Sequence, residues 1–294
     1  MGITNNSKEL DKHVAKLYAK INQDINTGLR PLPDFPAVAA RLGELVRDPN
    51  YRASDLVEVL EQDPALSQLM VRIASSALYP AQEPCEQLSV AVRRMGAETT
   101  SNLVLTHCLH NLFRSDIKTV QQRLTRIWAI DTQTAATAAW IGRYASGIKA
   151  ENALFAGLMQ NVGTYFILSR FGDKIKTNYH WDLFNEVIER YSRELSVNIL
   201  KKWHMSDSII DAAASKDQWL RDHSNPADLA DVLIVARYHV YLNTSLIRSA
   251  PKYTDIPAAN RLKLKKNEAT PFQGLKMIHE EQSSIKDIVR MLAT

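Results

Sequence analysis

A chain of 294 residues can bury a large core, as one large domain or two. With 45% hydrophobic and 23% charged residues it has the composition of an ordinary globular protein, and a net charge of +4 permits an acidic partner without indicating nucleic acid or a membrane. Two cysteines, Cys85 and Cys108, exclude a disulfide framework and a cysteine-rich zinc site. The polar, mixed-charge segment from Met1 to Lys20 has no signal-like apolar core, and no run reaches the apolar length needed to cross a bilayer, so a cytoplasmic protein is expected.

Helical periodicity runs through nearly every segment. Leu10, Val14, Leu17, Ile21 and Ile25 recur at three- and four-residue steps and predict an amphipathic first helix. Gly28 lets the chain turn, and Pro31, Pro33 and Pro36 make an extended lead into the next helix. Asp63-Pro64, Asn225-Pro226 and Thr270-Pro271 each set an N-cap residue before a proline at the first helical position, where no amide hydrogen is needed. Ser284 to Asp287 resembles a capping arrangement before the last apolar turn. No period-two pattern and no hairpin turn stands out, so the expected fold class is all-α.

The most informative stretch is Gly157-Leu158-Met159-Gln160-Asn161-Val162-Gly163. It resembles the segment of the HD metal-dependent phosphohydrolases in which an adjacent His and Asp hold a metal, but those positions read Gln160 and Asn161. Imidazole nitrogen and carboxylate oxygen are good ligands for a divalent ion, whereas the two amides offer only neutral carbonyl oxygens. Gly157 and Gly163 read as sites of close helix approach, because the chain carries no Walker-type or dinucleotide fingerprint.

A second resemblance sharpens the first. Leu32-Pro33-Asp34-Phe35-Pro36 is followed by Glu61-Gln62-Asp63-Pro64-Ala65-Leu66, then Ile73 to Tyr79, then Leu88 to Gly96. That order is similar to the N-terminal half of the HD-related output domain family (HDOD) of bacterial signalling proteins, and the combined match runs from about Leu32 to Arg221. Against the second half of that family, Trp128-Ala129-Ile130-Asp131 resembles a Trp-led helix start in which Ile130 stands where histidine can occur. The same comparison sets Ser192 at a histidine, Ser196 at a glycine, Ser206 at a proline, and Ser215 and Lys216 near a histidine. Each candidate ligand position thus carries another residue.

The resemblance implies a helical bundle of two packed subdomains, the second HD-domain-like. The expected organisation is an N-terminal helix at 1–28, an N-terminal HDOD subdomain at 29–114, a degenerate HD-like core at 115–224 and a helical extension at 225–294. It further implies a stand-alone, non-catalytic signalling or regulatory module that needs no cofactor and acts through a protein partner, with a nucleotide-like small ligand as an additional option and nucleic acid disfavoured. The vestigial site positions are Ile130, Asp131, Gln160, Asn161, Ser192, Ser215 and Lys216; Gln160 and Asn161 read preferably as fillers of the lost ligands' space that satisfy each other by hydrogen bonds, and otherwise as the lining of a retained ligand pocket. The alternative is a metal-dependent phosphohydrolase acting on nucleotides or phosphate esters.

Other residues carry two readings each. His107 and His110 share a helix face beside Cys108, a spacing that suits zinc, although the flanking leucines suit a packed helix better. His204, after Trp203, reads as a general base or, preferably, as a surface or capping histidine. Arg261-Leu262-Lys263-Leu264-Lys265-Lys266 reads as a solvated helix end in preference to a nucleic-acid contact. Trp128, Trp140, Trp181, Trp203 and Trp219 read mainly as core or groove fillers.

Overall fold

The computed structural model describes residues 2–76, 78–79, 85–242, 244–262, 269–270, 274–275, 278 and 281–292. The fold is all-α as the periodicity predicts, apart from one two-residue antiparallel ladder joining Ala269–Thr270 to Gly274–Leu275. The helices of the first half are α1 (Gly2–Asn26), α2 (Ala37–Arg47), α3 (Ala53–Glu61), α4 (Pro64–Ala74), α5 (Leu88–Met95), α6 (Ala97–Leu112) and α7 (Lys118–Gly142). Then follow α8 (Ala150–Met159), α9 (Val162–Phe171), α10 (Asn178–Lys202), α11 (Asp207–Ser215), α12 (Leu229–Tyr241), α13 (Pro257–Arg261) and α14 (Gln282–Leu292). None of them is long and apolar enough to cross a membrane. Compactness groups these helices into two units, each assembled from stretches far apart in the chain.

The first unit comprises Met1–Asp34, Phe113–Ile127 and Asn161–Met205. Its organising element is α10, against which α1 and α9 both pack. Val14 and Ile21 of α1 are fully buried, as their spacing requires. Tyr18 stacks on Tyr191 with ring centroids 3.5 Å apart, and its hydroxyl donates to Glu194 at 2.8 Å. Gly28, with φ of +73°, turns the chain out of α1 into a conformation costly for a side chain. The extended segment that follows has no helical partners for its carbonyls. Lys202 donates to the Leu32 carbonyl and the Asp34 carboxylate, both at 2.8 Å, and the Trp203 indole donates to the Pro33 carbonyl at 3.0 Å. α9 lies so close to α10 that the Gly163 amide donates to the Ser196 hydroxyl at 3.0 Å.

The second unit comprises Phe35–Leu112, Trp128–Gln160 and Ser206–Thr294. α4 starts as predicted: the Asp63 carboxylate accepts from the amides of Ala65 and Leu66, and Pro64 occupies the first helical position. Its inner face buries Leu66, Met70 and Ile73. α12 is buried along its whole length, from Leu229 to Tyr241. α8 presses on α7, and α11 and α12 pack on each other and on α8.

Three predicted helix starts shift. Asn225-Pro226 is not one: α12 begins at Leu229 behind its N-cap Asp228, because the Asp228 and Asp231 carboxylates cap each other's backbone amides at 3.0 and 3.2 Å. Thr270 lies in the short ladder, and Pro271 lies outside the described residues. α14 begins ahead of Ser284, whose hydroxyl donates instead to Glu281 at 3.1 Å.

The two glycines of the central stretch are demanded by packing. A Cβ on Gly157 would lie 2.4 Å from the Ala135 Cα of α7, and one on Gly163 would lie 2.2 Å from the Ser192 carbonyl oxygen of α10. Both obstacles are backbone. Gly157→Ala and Gly163→Ala are each expected to lose roughly 1–3 kcal/mol of stability in urea unfolding. Gly43→Ala is the control, since a Cβ there meets nothing within 4 Å and alanine favours the helix.

Candidate functional site

Gln160 closes α8 and is fully buried. Its side-chain amide donates to the Gly157 carbonyl at 2.8 Å, and its amide oxygen accepts from Arg237. Its backbone carbonyl accepts from the Lys216 ammonium at 3.0 Å. Every polar group of the side chain therefore has a protein partner, as burial demands. Two of the three groups that hold this residue are cations.

Arg237 projects from the middle of α12 and is 3% exposed. Besides Gln160 it donates to the Asp217 carboxylate at 2.6 Å and to the Tyr241 hydroxyl, and its guanidinium carbon lies 4.9 Å from the Tyr241 ring centroid. Burial opposes its charge, but the Tyr241 oxygen, Asp217 and the fully buried Asp131 outweigh burial and hold the guanidinium above its ordinary pKa. Burial likewise pushes the Tyr241 hydroxyl up, against the pull of Arg237. α8, α11, α12 and the second part of α7 thus supply one charged cluster: Gln160, Lys216 and Asp217, Arg237 and Tyr241, and Asp131.

The other expected site residues distribute as follows. Ile130 is half-buried and precedes Asp131 on α7. Ser215 is buried next to Lys216, and its hydroxyl reaches the Asp211 carboxylate at 3.5 Å. Asn161 and Ser192 belong to the first unit; Asn161 stands at the start of α9, and Ser192 lies buried on α10 with its carbonyl facing Gly163. Arg237, Asp217 and Tyr241 escaped sequence reasoning. The available signal was a lone arginine in the apolar run Leu229-Ala230-Asp231-Val232-Leu233-Ile234-Val235-Ala236-Arg237.

A second polar cluster caps the same helix. Arg221 donates to Asp228 at 2.7 Å and to Asp211 at 3.0 Å, while Arg261 donates to Asp231 at 3.0 Å and to the Arg221 carbonyl at 2.9 Å. His223, Asp228 and Asp231 bring ligand-type atoms within 4.8 Å of one another, but both guanidiniums already sit among them. Arg261 corrects the expectation of a solvated helix end: its side chain is 14% exposed because Asp231 and Asp222 recruit it into this clamp, while Lys263 to Lys266 lie outside the described residues. Burial disfavours the Asp228 anion, yet hydrogen bonds from Arg221 and the Asp231 amide win and hold its carboxyl below the usual carboxylate range.

The remaining candidates are placed plainly. His107 and His110 face a shallow pocket with an aliphatic wall of Leu69, Ile73 and Leu103, and His110 lies 5.0 Å from the Trp128 ring between centroids. Burial pushes the neighbouring Cys108 thiol up to about 11, away from thiolate chemistry. His204 is exposed at φ of 54°, where its amide donates to the Lys201 carbonyl and that of Met205 to the Leu200 carbonyl, the Schellman ending of α10. That is the capping reading. Trp140 and Trp203 are buried and the other three tryptophans half-buried.

The fold defines the class as an HD-like helical protein. Over 96% of its length the chain superposes on 98% of a Shewanella amazonensis protein, provisionally named a metal-dependent phosphohydrolase, with a TM-score of 0.74 at 19% identity. Over 95% of its length it superposes on 98% of an HDOD domain protein with unknown function from Geobacter sulfurreducens, with a TM-score of 0.65 at 18% identity. At these identities the likeness is one of fold. Residues 32–219 match the HDOD domain family, close to the span expected from the motifs, and the chain belongs to that family. An uncharacterized protein from Treponema pallidum is 24% identical over 169 residues, 57% of this chain and 31% of that protein. The chain thus spans about a third of the length of that curated relative.

Two outcomes test the site's electrostatics. Arg237→Met strips a counter-charge from buried Asp131 and is expected to lose about 3–5 kcal/mol in urea unfolding, part of which Asp131→Asn restores in the double variant. Asp228 titrates near pH 4 when unfolded and lower when folded, so its contribution is complete above about pH 4 and disappears as pH falls through the folded value. Asp228→Asn keeps an N-cap and removes the charge. The gap in urea midpoint between wild type and this variant is expected to be constant at neutral pH and to close below about pH 4.

Proposed function

We propose that the protein is a non-catalytic signalling or regulatory module that acts by binding a protein partner, with the HD metal site lost. The observation that carries this reading is the occupancy of Gln160, the residue at the histidine position of the HD phosphohydrolases that this stretch resembles. Its amide oxygen is taken by Arg237, its amide hydrogens serve Gly157, and Lys216 is bonded to its carbonyl. A metal dication would meet two fixed positive charges within hydrogen-bonding reach of this one residue. The Arg237 charge is not easily shed, since a guanidinium stays protonated at any ordinary pH and Arg237 is held above even its usual pKa. The donor set does not fit a divalent ion, and no catalytic step is assigned to one.

What the site does instead is mechanical. The cluster ties the ends of α8 and α11 to the centre of α12, so a shape inherited from an enzyme is held rigid without a metal. A framework held without a metal suits recognition by its surface, where a partner with different affinity for two arrangements of the protein transmits a signal.

Elemental analysis tests the loss of the metal. After incubation with Mn2+, Fe2+ or Zn2+ and desalting, the purified full chain is expected to retain far less than one equivalent of metal. The variant Gln160→His/Asn161→Asp is also expected to stay unloaded, because Arg237 and Lys216 remain. One equivalent of metal in the wild type, together with phosphatase activity abolished by chelation, would establish the phosphohydrolase alternative.

A further inference from the structure

Two exposed surfaces outside the site carry opposite charge. The first lies in the first unit, along residues 114–126. Val120 and Leu124 are buried, which turns the other side of this part of α7 to solvent. Arg114, Lys118, Arg123 and Arg126 are exposed, and Asp116 is the one carboxylate of the segment, so its net charge is +3. Ile117, 37% exposed, stands among these cations.

The second lies in the second unit, on the outer sides of α2 and α3. These helices pack on each other, and Arg41 of α2 donates to the Gln62 side chain at the end of α3 at 3.4 Å. Residues 41–63 hold six carboxylates against three arginines, a net charge of −3. Glu44, Asp48, Glu58 and Glu61 are exposed, whereas the Asp55 carboxylate is engaged by Arg52 at 3.3 Å. Tyr51, 38% exposed, stands between the two helices. The two surfaces share one plan, a large apolar side chain set in a field of one dominant sign. Protein contacts are built in the same way, with an apolar anchor inside a polar rim.

We propose that these surfaces dock on each other between copies of the chain, the 114–126 face of one copy on the α2–α3 face of the next. Charges of +3 and −3 offset each other on contact, and Ile117 and Tyr51 each leave water. Phosphate would match the cations alone. A second copy matches the cations and the isoleucine, and its own basic face matches the acidic surface as well. Because the two surfaces differ, the contact is heterologous, and copies add into an open chain or close into a ring. Exposed ion pairs are individually weak and are screened by salt, so assembly is reversible and follows ionic strength. The inference goes beyond the binding-module reading, since it requires neither the loss of the metal nor a different partner.

Sedimentation velocity on the purified full chain reads the assembly. In dilute salt the weight-average mass is expected to climb with protein concentration to about twice the monomer's or more. At about 1 M salt, where the screening length falls to roughly 3 Å, it is expected to return to the monomer's. Lys118→Glu/Arg126→Glu makes the first surface acidic like the second, and Glu58→Lys/Glu61→Lys makes the second basic like the first. Each variant alone is expected to stay monomeric in dilute salt, and an equimolar mixture of the two to associate. Recovery on mixing also shows that both variants are folded. Ile117→Ser changes no charge and is expected to weaken association roughly threefold or more. A wild type that is monomeric in dilute salt, a mixture that does not associate, or indifference to Ile117→Ser overturns the proposal. So does a monomer that binds duplex DNA through Lys118 and Arg126, which would assign the basic face to nucleic acid. Metal content reads the HD site separately, so failure here is distinguishable from failure of the non-catalytic reading.

Discussion

A guanidinium buried to 3% exposure is the constraint around which much of the second unit is arranged. An isolated charge in a protein interior costs many kcal/mol, so Arg237 is tolerable only where several elements converge to satisfy it. α8 brings Gln160, the end of α11 brings Asp217, α12 itself brings Tyr241, and Asp131 of α7 contributes its charge. Each of these helices is fixed in rotation and in height by the group it must present. The apolar surface of α12 gives the unit its cohesion, since nonpolar contact is non-directional, and Arg237 gives it register.

The HD-like stretch separates two kinds of requirement that enzymes combine. Gly157 and Gly163 answer to backbone proximity: Ala135 and Ser192 leave no room for a Cβ whatever chemistry occurs nearby. Gln160 answers to local charge, and two of its partners are cationic side chains. A frame set by packing survives any change of ligands, because altering it moves whole helices, whereas a ligand position can be refilled one side chain at a time. The glycines therefore report the fold, and the residues between them report the chemistry.

Legibility in the sequence divides along the same line. The amphipathic repeat of α1 and the Asp63-Pro64 start of α4 were readable because a helix face and a cap are local features. The start of α12 was misread at Asn225-Pro226, since the reciprocal Asp228 and Asp231 cap competes with the proline signal and prevails by satisfying two amides at once. The role of Arg237 was hidden for a different reason. Its partners come from α8 and the end of α11, and periodicity says nothing about which distant helices will meet. Arg261 misled in the same way, as a basic run looks solvated until Asp222 and Asp231 are found beside it. The assembly of each compact unit from separated stretches is likewise a tertiary fact.

On the proposed reading, the loss of the metal poses an electrostatic problem that the sequence also solves. Asp131 is fully buried, and a carboxylate left in the interior when a dication departs must be protonated or given another cation. Arg237 supplies that cation within electrostatic reach, and the ammonium of Lys216, itself 3% exposed, is bonded to the Gln160 carbonyl. Covalently attached charges do this differently from an ion. They cannot dissociate, do not depend on metal supply, and offer no open coordination position to a substrate. On that reading the exchange gives up reactivity for permanence, which is all that a protein acting through its surface would need.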